Sequence, residues 1–253
     1  MDLGLKGLRV AVTGGTKGIG RAIADTFAAE GAHVAICARN AGEVEQTVAA
    51  LKAAGVNAYG TALDVADGAA LKAWVDAAAA KLGGLDIVVA NVSALALGAD
   101  DESWEKDFQV DVMGAVRLVN AAMPHLEKSK AAAIVTISSI SGREIDFAAG
   151  PYGAMKAALV HYTQGVAHNL ASKGIRANSV SPGTTYFAGG IWNQIETADP
   201  AFYKMALGMN PTGRMGTPQE MANATVFLAS PAASFISGTN LVVDGAFTKG
   251  VQL

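Results

Sequence analysis

The sequence predicts a doubly wound α/β fold, a parallel sheet with helices on both faces, and three observations carry that prediction. Short runs rich in β-branched residues alternate with longer alanine-rich segments of helical spacing along the 253 residues. Repeated β-α units of this kind imply parallel strands joined by right-handed crossovers. Several of the short runs are almost wholly apolar, as strands covered on both faces must be. The composition, 51% hydrophobic and 16% charged with a net charge of −3, supplies a sizeable core and excludes disorder.

Taken in order, the strands fall at residues 8–13, 33–38, 56–63, 85–91, 132–138, 176–181 and 240–243. The helices fall between them, at 19–30, 42–54, 69–81, 104–127, 152–172 and 218–229. Trp74 and Trp104 read as core residues of their helices. Two segments break the rhythm. Residues 142–151 interrupt it directly after a strand. Residues 184–217 form a long stretch rich in Gly, Thr and bulky apolar side chains, and loops of that length in compact domains are usually functional or disordered. No repeat, low-complexity tail or linker divides the chain, so one continuous sheet implies one domain over residues 1–253.

Composition also limits function. An isoelectric point of about 5.8 without a basic run gives no nucleic-acid footprint. The mean hydropathy of +0.30 raises the question of a membrane, and residues 221–243 carry no charge. Pro231 and Gly238 split that stretch into short elements, and its Asn, Ser and Thr residues disqualify it as a span. Residues 1–12 lack the apolar core of a signal peptide. Cys37 is the one cysteine, so no internal disulfide forms and a reducing cytoplasm is expected. The Asn-x-Ser/Thr matches at Asn91 and Asn223 are then chance occurrences. His33, His125, His161 and His168 show no metal-ligand spacing, so no metal site is expected.

The first strand runs into Thr13-Gly14-Gly15-Thr16-Lys17-Gly18-Ile19-Gly20, and a helix follows. The free N–H groups and positive end of that helix suit a pyrophosphate, and glycine is needed where the backbone turns tightly or a ligand approaches it. The end of the second strand reports on the adenosine ribose. An acidic residue there bonds the 2′-hydroxyl of NAD, whereas Arg accommodates the 2′-phosphate of NADP. This strand ends Ile36-Cys37-Ala38-Arg39-Asn40, without a carboxylate. Lys17 adds a second cation, so NADP(H) is the expected cofactor.

Chemistry is expected farther along. Ser139 closes a strand, and thirteen residues later Tyr152-Gly153-Ala154-Met155-Lys156 places Tyr and Lys on one face of a helix. An ammonium beside the phenol favours the phenolate, so Tyr152 can exchange a proton with an alcohol or carbonyl oxygen. A Ser hydroxyl at a neighbouring strand end can bond the same oxygen, while hydride belongs to the cofactor. Ser138 and Ser141 are rivals for that role; the spacing and strand-end position favour Ser139.

These residues together resemble the short-chain dehydrogenase/reductase family over essentially the whole length. The match rests on Thr13-Gly14-x-x-x-Gly18-x-Gly20, Asp64-Val65, Ser139, Tyr152-x-x-x-Lys156, Pro182-Gly183 and Val243-Asp244-Gly245. The resemblance implies a single Rossmann-type domain with seven parallel strands, and a homotetramer or homodimer. It implies that Asp64 and Val65 contact the adenine, that Asn91 lies beside the cofactor and that Pro182 and Gly183 lie near the nicotinamide. Tyr152 is then the acid/base, Ser139 the carbonyl-oxygen ligand, and Lys156 both ribose ligand and pKa modifier. The sequence departs from the family in three places. The run Asn-Asn-Ala-Gly appears as Asn91-Val92-Ser93-Ala94. The usual fourth catalytic residue, Asn, is Asp111, which preserves a backbone link to Lys156, pairs with the ammonium and raises its pKa, stays protonated itself, or is simply a tolerated substitution. The Thr often found four residues after the Gly of Pro-Gly is Phe187, leaving Thr184 or Thr185 to bond the cofactor.

The expected protein is an NADP(H)-dependent oxidoreductase interconverting a secondary alcohol and a ketone. Its substrate is expected to be largely apolar, because Tyr186, Phe187, Ile191, Trp192, Phe202 and neighbours populate a substrate lid at 184–217; packing against the domain or a partner subunit explains them equally. Arg143 and Glu144 either select a polar substrate group or are surface charges. Residues 247–253 are expected to join a subunit interface. The competing class is an NADP(H)-binding sensor that no longer turns over, with Asp111 as the feature in its favour.

Overall fold

Alternating side-chain direction along seven strands explains the two cores of this protein, seen here in a computed structural model that describes residues 1–251. The strands are β1 (Arg9–Thr13), β2 (His33–Ala38), β3 (Ala58–Ala62), β4 (Ile87–Ala90), β5 (Ala133–Ile137), β6 (Arg176–Pro182) and β7 (Asn240–Val243). All pair in parallel, in the order β3-β2-β1-β4-β5-β6-β7. Val10, Val12, Val34, Ile36, Ile87, Val89 and Val135 point to one face. They pack there on α1 (Gly18–Ala29), α2 (Ala41–Ala53) and α9 (Pro218–Ala229). Ala11, Ala35, Val88, Ile134 and Ala177 point to the other. They meet α3 (Gly68–Leu82), α5 (Met113–Leu126) and α6 (Pro151–Leu170). This is the doubly wound, Rossmann-type sheet expected from the alternation. Among the described residues no helix is long and apolar enough to cross a membrane.

The order places β1 beside β4, and the chain leaves these neighbours in opposite directions. That switch point opens a crevice beyond their carboxyl ends, where ligands of such sheets bind. At the opposite ends a single carboxylate ties the strands together. Asp86 accepts from the Arg9 amide at 2.9 Å, from its guanidinium at 2.7 and 2.8 Å, and from Ser129 Oγ at 2.6 Å. Burial works against the Asp86 charge, yet the bonds from Arg9 and Ser129 prevail and hold its carboxyl below the ordinary range. Asp86→Asn is expected to destabilise the fold by roughly 2–3 kcal/mol at pH 7. Because the folded-state pKa is depressed, that advantage is complete above the unfolded carboxylate value of about 4 and vanishes as pH falls through the folded value. Urea unfolding of both proteins from pH 7 down to about pH 2 checks the convergence.

Two expectations are corrected. The helix expected over 104–127 is interrupted: α4 (Asp101–Asp107) passes through a π-helical turn, Phe108–Val112, into α5. Such a turn inserts a residue and re-aims side chains, and here Asp107 and Asp111 face inward. Because α4 packs on α6 and not on the sheet, Trp104 lies at the rim and is 39% exposed, whereas Trp74 is buried as expected. The stretch 184–217 is not a structureless loop. It holds α7 (Ile191–Ala198) and α8 (Pro200–Gly208), and its neck is closed by a bridge between Thr185 and Gly216. Trp192, Ala206 and Met215 give it a small core of its own, so part of its apolar content serves its own packing. At the end of the chain, Thr248 bonds Asp244 and the Gly250 amide donates to Glu144 at 2.7 Å. Glu144 therefore holds the tail. Gln252 and Leu253 of the expected interface stretch lie outside the described residues.

Candidate active site

The glycine-rich turn is built for close approach. Gly14 and Gly18 take positive φ, +68° and +50°. A Cβ on Gly20 would sit 2.2 Å from the Gly14 carbonyl oxygen and 2.3 Å from Asn91 Nδ2. Asn91, immediately beyond β4, clamps the turn by donating to the Thr13 and Gly14 carbonyls at 3.1 and 3.3 Å. The amino end of α1, from Gly18 through Ile19 and Gly20, carries no side-chain cap. Uncapped N–H groups at a helix start, on a turn with no room for side chains, fit a dinucleotide pyrophosphate.

Beside the turn lies a cavity of about 600 Å³, lined by Gly14, Thr16, Lys17, Arg39, Asp64, Val65 and Asn91. Seven residues expected to hold the cofactor are thus brought together from four different loops. The sequence reading missed Glu43, which lines the same cavity. Its carboxylate pairs with Lys17 at 2.8 Å and accepts from Thr16 at 3.1 Å. The bond from Lys17 foremost keeps that carboxyl below its ordinary value. Arg39 is exposed and has no ion-pair partner among the described residues, so it remains an available cation there, as does Lys106 on the cavity's other wall. Cys37 is fully buried beneath the turn, and burial pushes its thiol up to about 12. It is an inert packing residue there.

The chemical residues converge because two glycines let helix α6 approach a 3₁₀ turn, Ile140–Gly142, that follows β5. A Cβ on Gly142 would fall 2.7 Å from the Lys156 backbone, and one on Gly153 would fall 2.9 Å from the Ser141 carbonyl. Ser139 leads into that turn and Tyr152 lies in the first turn of α6. Ser138, one rival for the Ser role, spends its hydroxyl on the Lys156 carbonyl at 2.9 Å. Ser139 Oγ donates to Ser141 Oγ at 3.2 Å, and Ser141 donates to Asp146 at 2.7 Å.

Lys156 is 1% exposed. Its ammonium donates to the Ile137 carbonyl at 3.0 Å, lies 3.0 Å from Asp111 Oδ1 and stands 5.6 Å from the centre of the Tyr152 ring. Burial works against this ammonium, but Asp111 and then Tyr152 outweigh it and hold its pKa above the ordinary value. For Tyr152, burial pushes the phenol up; Lys156 and Ser139 pull it down, as expected, but do not prevail, and Asp111 and Asp146 oppose them. Asp107 was not singled out in the sequence, although its place four residues before Asp111 was a readable signal.

At the carboxyl end of β6, Pro182 closes the strand and the Gly183 amide donates to the Val243 carbonyl at 2.9 Å. Both threonines are engaged: Thr184 donates to Asn210 at 2.7 Å and Thr185 to the Gly183 carbonyl at 3.0 Å. The Phe187 ring lies against Gly18, within 2.5–2.9 Å of where a Cβ would be. Phe147, from the loop after Ser139, sets its ring edge-on to Trp192 and Phe202 at 5.3 and 5.4 Å.

Comparison with known proteins places this arrangement among relatives. Residues 14–248 match a family model described as enoyl-(acyl carrier protein) reductase. The chain is 43% identical to the isoepoxydon dehydrogenase patN of Penicillium expansum, over 100% of this chain and 99% of that one. It is 34% identical to the short-chain dehydrogenase/reductase SDRA of Arabidopsis thaliana, over 95% and 94% of the two chains. Its structure superposes on the L-sorbose reductase of Gluconobacter frateurii, solved with NADPH and L-sorbose, with a TM-score of 0.92 at 30% identity, covering 99% and 100%.

Proposed function

Since the chain belongs to the short-chain dehydrogenase/reductase family, we propose that it interconverts a secondary alcohol and a ketone with NADP(H), using Tyr152, Ser139 and Lys156. The observation that carries the reading is Lys156: a buried ammonium one helical turn beyond Tyr152, beside the phenol ring. Even paired with Asp111, a fully buried ammonium costs desolvation, and its place beneath a phenol gives that cost a chemical reason. The family model's description names reduction of an enoyl group. A carbonyl suits this site better, because Tyr152 and Ser139 offer two donors for one oxygen.

A bound nicotinamide would supply or take up the hydride. Tyr152 gives its phenolic proton to the carbonyl oxygen in reduction and recovers it from the alcohol in oxidation. Ser139 turns from Ser141 to bond the same oxygen, fixing its position in front of the phenol. Lys156 keeps a positive charge beside the ring, which lowers the cost of the phenolate, and an N–H of its ammonium not spent on Ile137 would reach the ribose. Gly14, Thr16, Gly18, Ile19 and Gly20 hold the pyrophosphate on backbone N–H groups. Arg39, with Lys17 beside it paired to Glu43, would hold the 2′-phosphate, Asp64 and Val65 would hold the adenine, and Asn91, Pro182, Gly183 and either Thr184 or Thr185 the nicotinamide half. NADPH in the L-sorbose reductase, of the same fold, supports this cofactor.

The protein works as one catalytic domain, with 184–217 as its substrate lid. The Phe147, Trp192 and Phe202 contacts support a largely apolar substrate beneath it. A cytoplasmic homotetramer or homodimer agrees with the single buried cysteine and with Trp104 and Phe108, exposed one turn apart. An NADPH-oxidation screen over cyclic and aromatic ketones and 3-oxoacyl thioesters, run beside oxidation of alcohols, isoepoxydon among them, with NADP+, tests the reading. NADPH is expected to outperform NADH, and Arg39→Ala to raise the KM for NADPH about tenfold while leaving NADH unmoved. Equal use of NADPH and NADH would remove the cofactor assignment. NADPH binding without turnover on any carbonyl would favour the sensor.

A further inference from the structure

Beneath the phenol lies more negative charge than one lysine can balance. Asp107, Asp111 and Lys156 are 0%, 2% and 1% exposed. The two carboxylates stand one turn apart and fasten the same loop beyond β4. Asp111 Oδ2 accepts the Ala94 amide at 2.8 Å and Asp107 Oδ1 accepts the Ala96 amide at 3.0 Å. Among the described residues, the other two oxygens accept no hydrogen bond. Asp111 Oδ1 is the one 3.0 Å from the ammonium, close enough for an ion pair although not aligned for a hydrogen bond. Asp107 Oδ2 has nothing.

Two buried anions against one buried cation leave an uncompensated charge, which proteins avoid by taking up a proton. We propose that Asp107 and Asp111 hold one proton between them and so set a single negative charge against Lys156, making Asp107 a positioning residue for the reaction. The proton rests on Asp107 Oδ2, because Oδ1 already accepts an amide N–H and Asp111 faces the ammonium. Burial foremost, opposed by the Ala96 amide and reinforced by Asp111, raises the Asp107 carboxyl above its ordinary range; Lys156 and Lys106 pull the other way. The charged and titratable groups around the phenol are then Lys156, the Asp107–Asp111 pair and Asp146, with exposed Lys106 behind Asp107.

A consequence follows for the chemistry, resting on the reading of Tyr152 as the proton-transferring group. A lysine whose charge is balanced favours the phenolate less than a bare one, so the pair keeps Tyr152 protonated and ready to donate. It is also buffered. Replacing Asp107 leaves the Asp111–Lys156 pair as it was, and replacing Asp111 lets Asp107 release its proton and take over the balancing charge.

Two measurements test this. Infrared difference spectra of the cofactor-free protein at neutral pH are expected to show the carbonyl stretch of one protonated buried carboxyl, lost in Asp107→Asn and in Asp111→Asn. The acid limb of the pH profile for alcohol oxidation is expected to move by less than about a third of a unit in either single variant. It is expected to fall by about one unit, a roughly tenfold gain on the acid side, in the double variant. Absence of the band in the wild type overturns the proposal. So does a full one-unit shift in Asp111→Asn alone, which would leave Asp107 no part; the infrared result and the single variants decide even if the double variant does not fold. A protein with the band but no alcohol oxidation would instead sink the catalytic reading of Tyr152 and leave the shared proton standing.

Discussion

Tyr152→Phe is expected to lower kcat/KM by about a thousandfold, some 4 kcal/mol of transition-state stabilisation, with the KM for NADPH within a few-fold of wild type. The phenol ring packs over Lys156, and Phe keeps that contact while removing the one group able to pass a proton to the substrate oxygen. Ser139 still polarises the oxygen, so activity does not fall to the uncatalysed rate. The Tyr152 hydroxyl meets Ser139 and carries none of the strand or helix hydrogen bonds, so Tm is expected to stay within about 2 °C of wild type. Steady-state kinetics beside NADPH fluorescence titration separates the two effects. Unchanged turnover would remove Tyr152 from the mechanism; loss of NADPH binding in step with turnover would make it a cofactor ligand instead.

Gly20→Ala is expected to cost roughly 2–3 kcal/mol of stability, a fall in Tm of about 5–10 °C for a domain of this size, and more than tenfold in NADPH affinity. The added methyl would meet the Gly14 carbonyl oxygen at 2.2 Å and Asn91 Nδ2 at 2.3 Å. The first is backbone and the second holds the turn, so neither swings aside cheaply. Relief requires α1 to withdraw from the turn, which misplaces the N–H groups meant for the pyrophosphate. Gly165→Ala is the matched control. Gly165 lies within α6 with nothing within 4 Å of a new Cβ, and there alanine is expected to stabilise the helix by up to about 1 kcal/mol. Calorimetry on the two variants should move in opposite directions. A Gly20→Ala protein with wild-type Tm and NADPH affinity would refute the close-approach reading of the turn.

Strand positions, helix positions and the dinucleotide turn were legible because they depend on local rules. An apolar run of five or six residues with β-branched side chains can hide only between two helix layers, and Gly14, Gly18 and Gly20 can serve together only where backbone must come close. Tyr152 and Lys156 were legible for the same reason, since a helix places i and i+4 on one face. The interruption at Phe108–Val112 was not legible. A π-helical turn depends on where its side chains find partners, and those of Asp107 and Asp111 are the amides of Ala96 and Ala94 respectively. Helix α7 and helix α8 were hidden because their short apolar stretches bury against one another and not against the sheet.

By itself, then, the sequence determined the alternation of strands and helices, the place of the glycine-rich turn and the helix face that Tyr152 and Lys156 share. Periodicity and backbone conformation act over a few residues and need no knowledge of the rest. Only the tertiary structure decided how charge is distributed around them. Lys17 meets Glu43 from a different loop, and Lys156 meets Asp111 from a helix on another part of the chain, with Asp107 beside it. Electrostatic energy depends on distance and burial, and both are properties of the packed molecule that residue spacing does not encode.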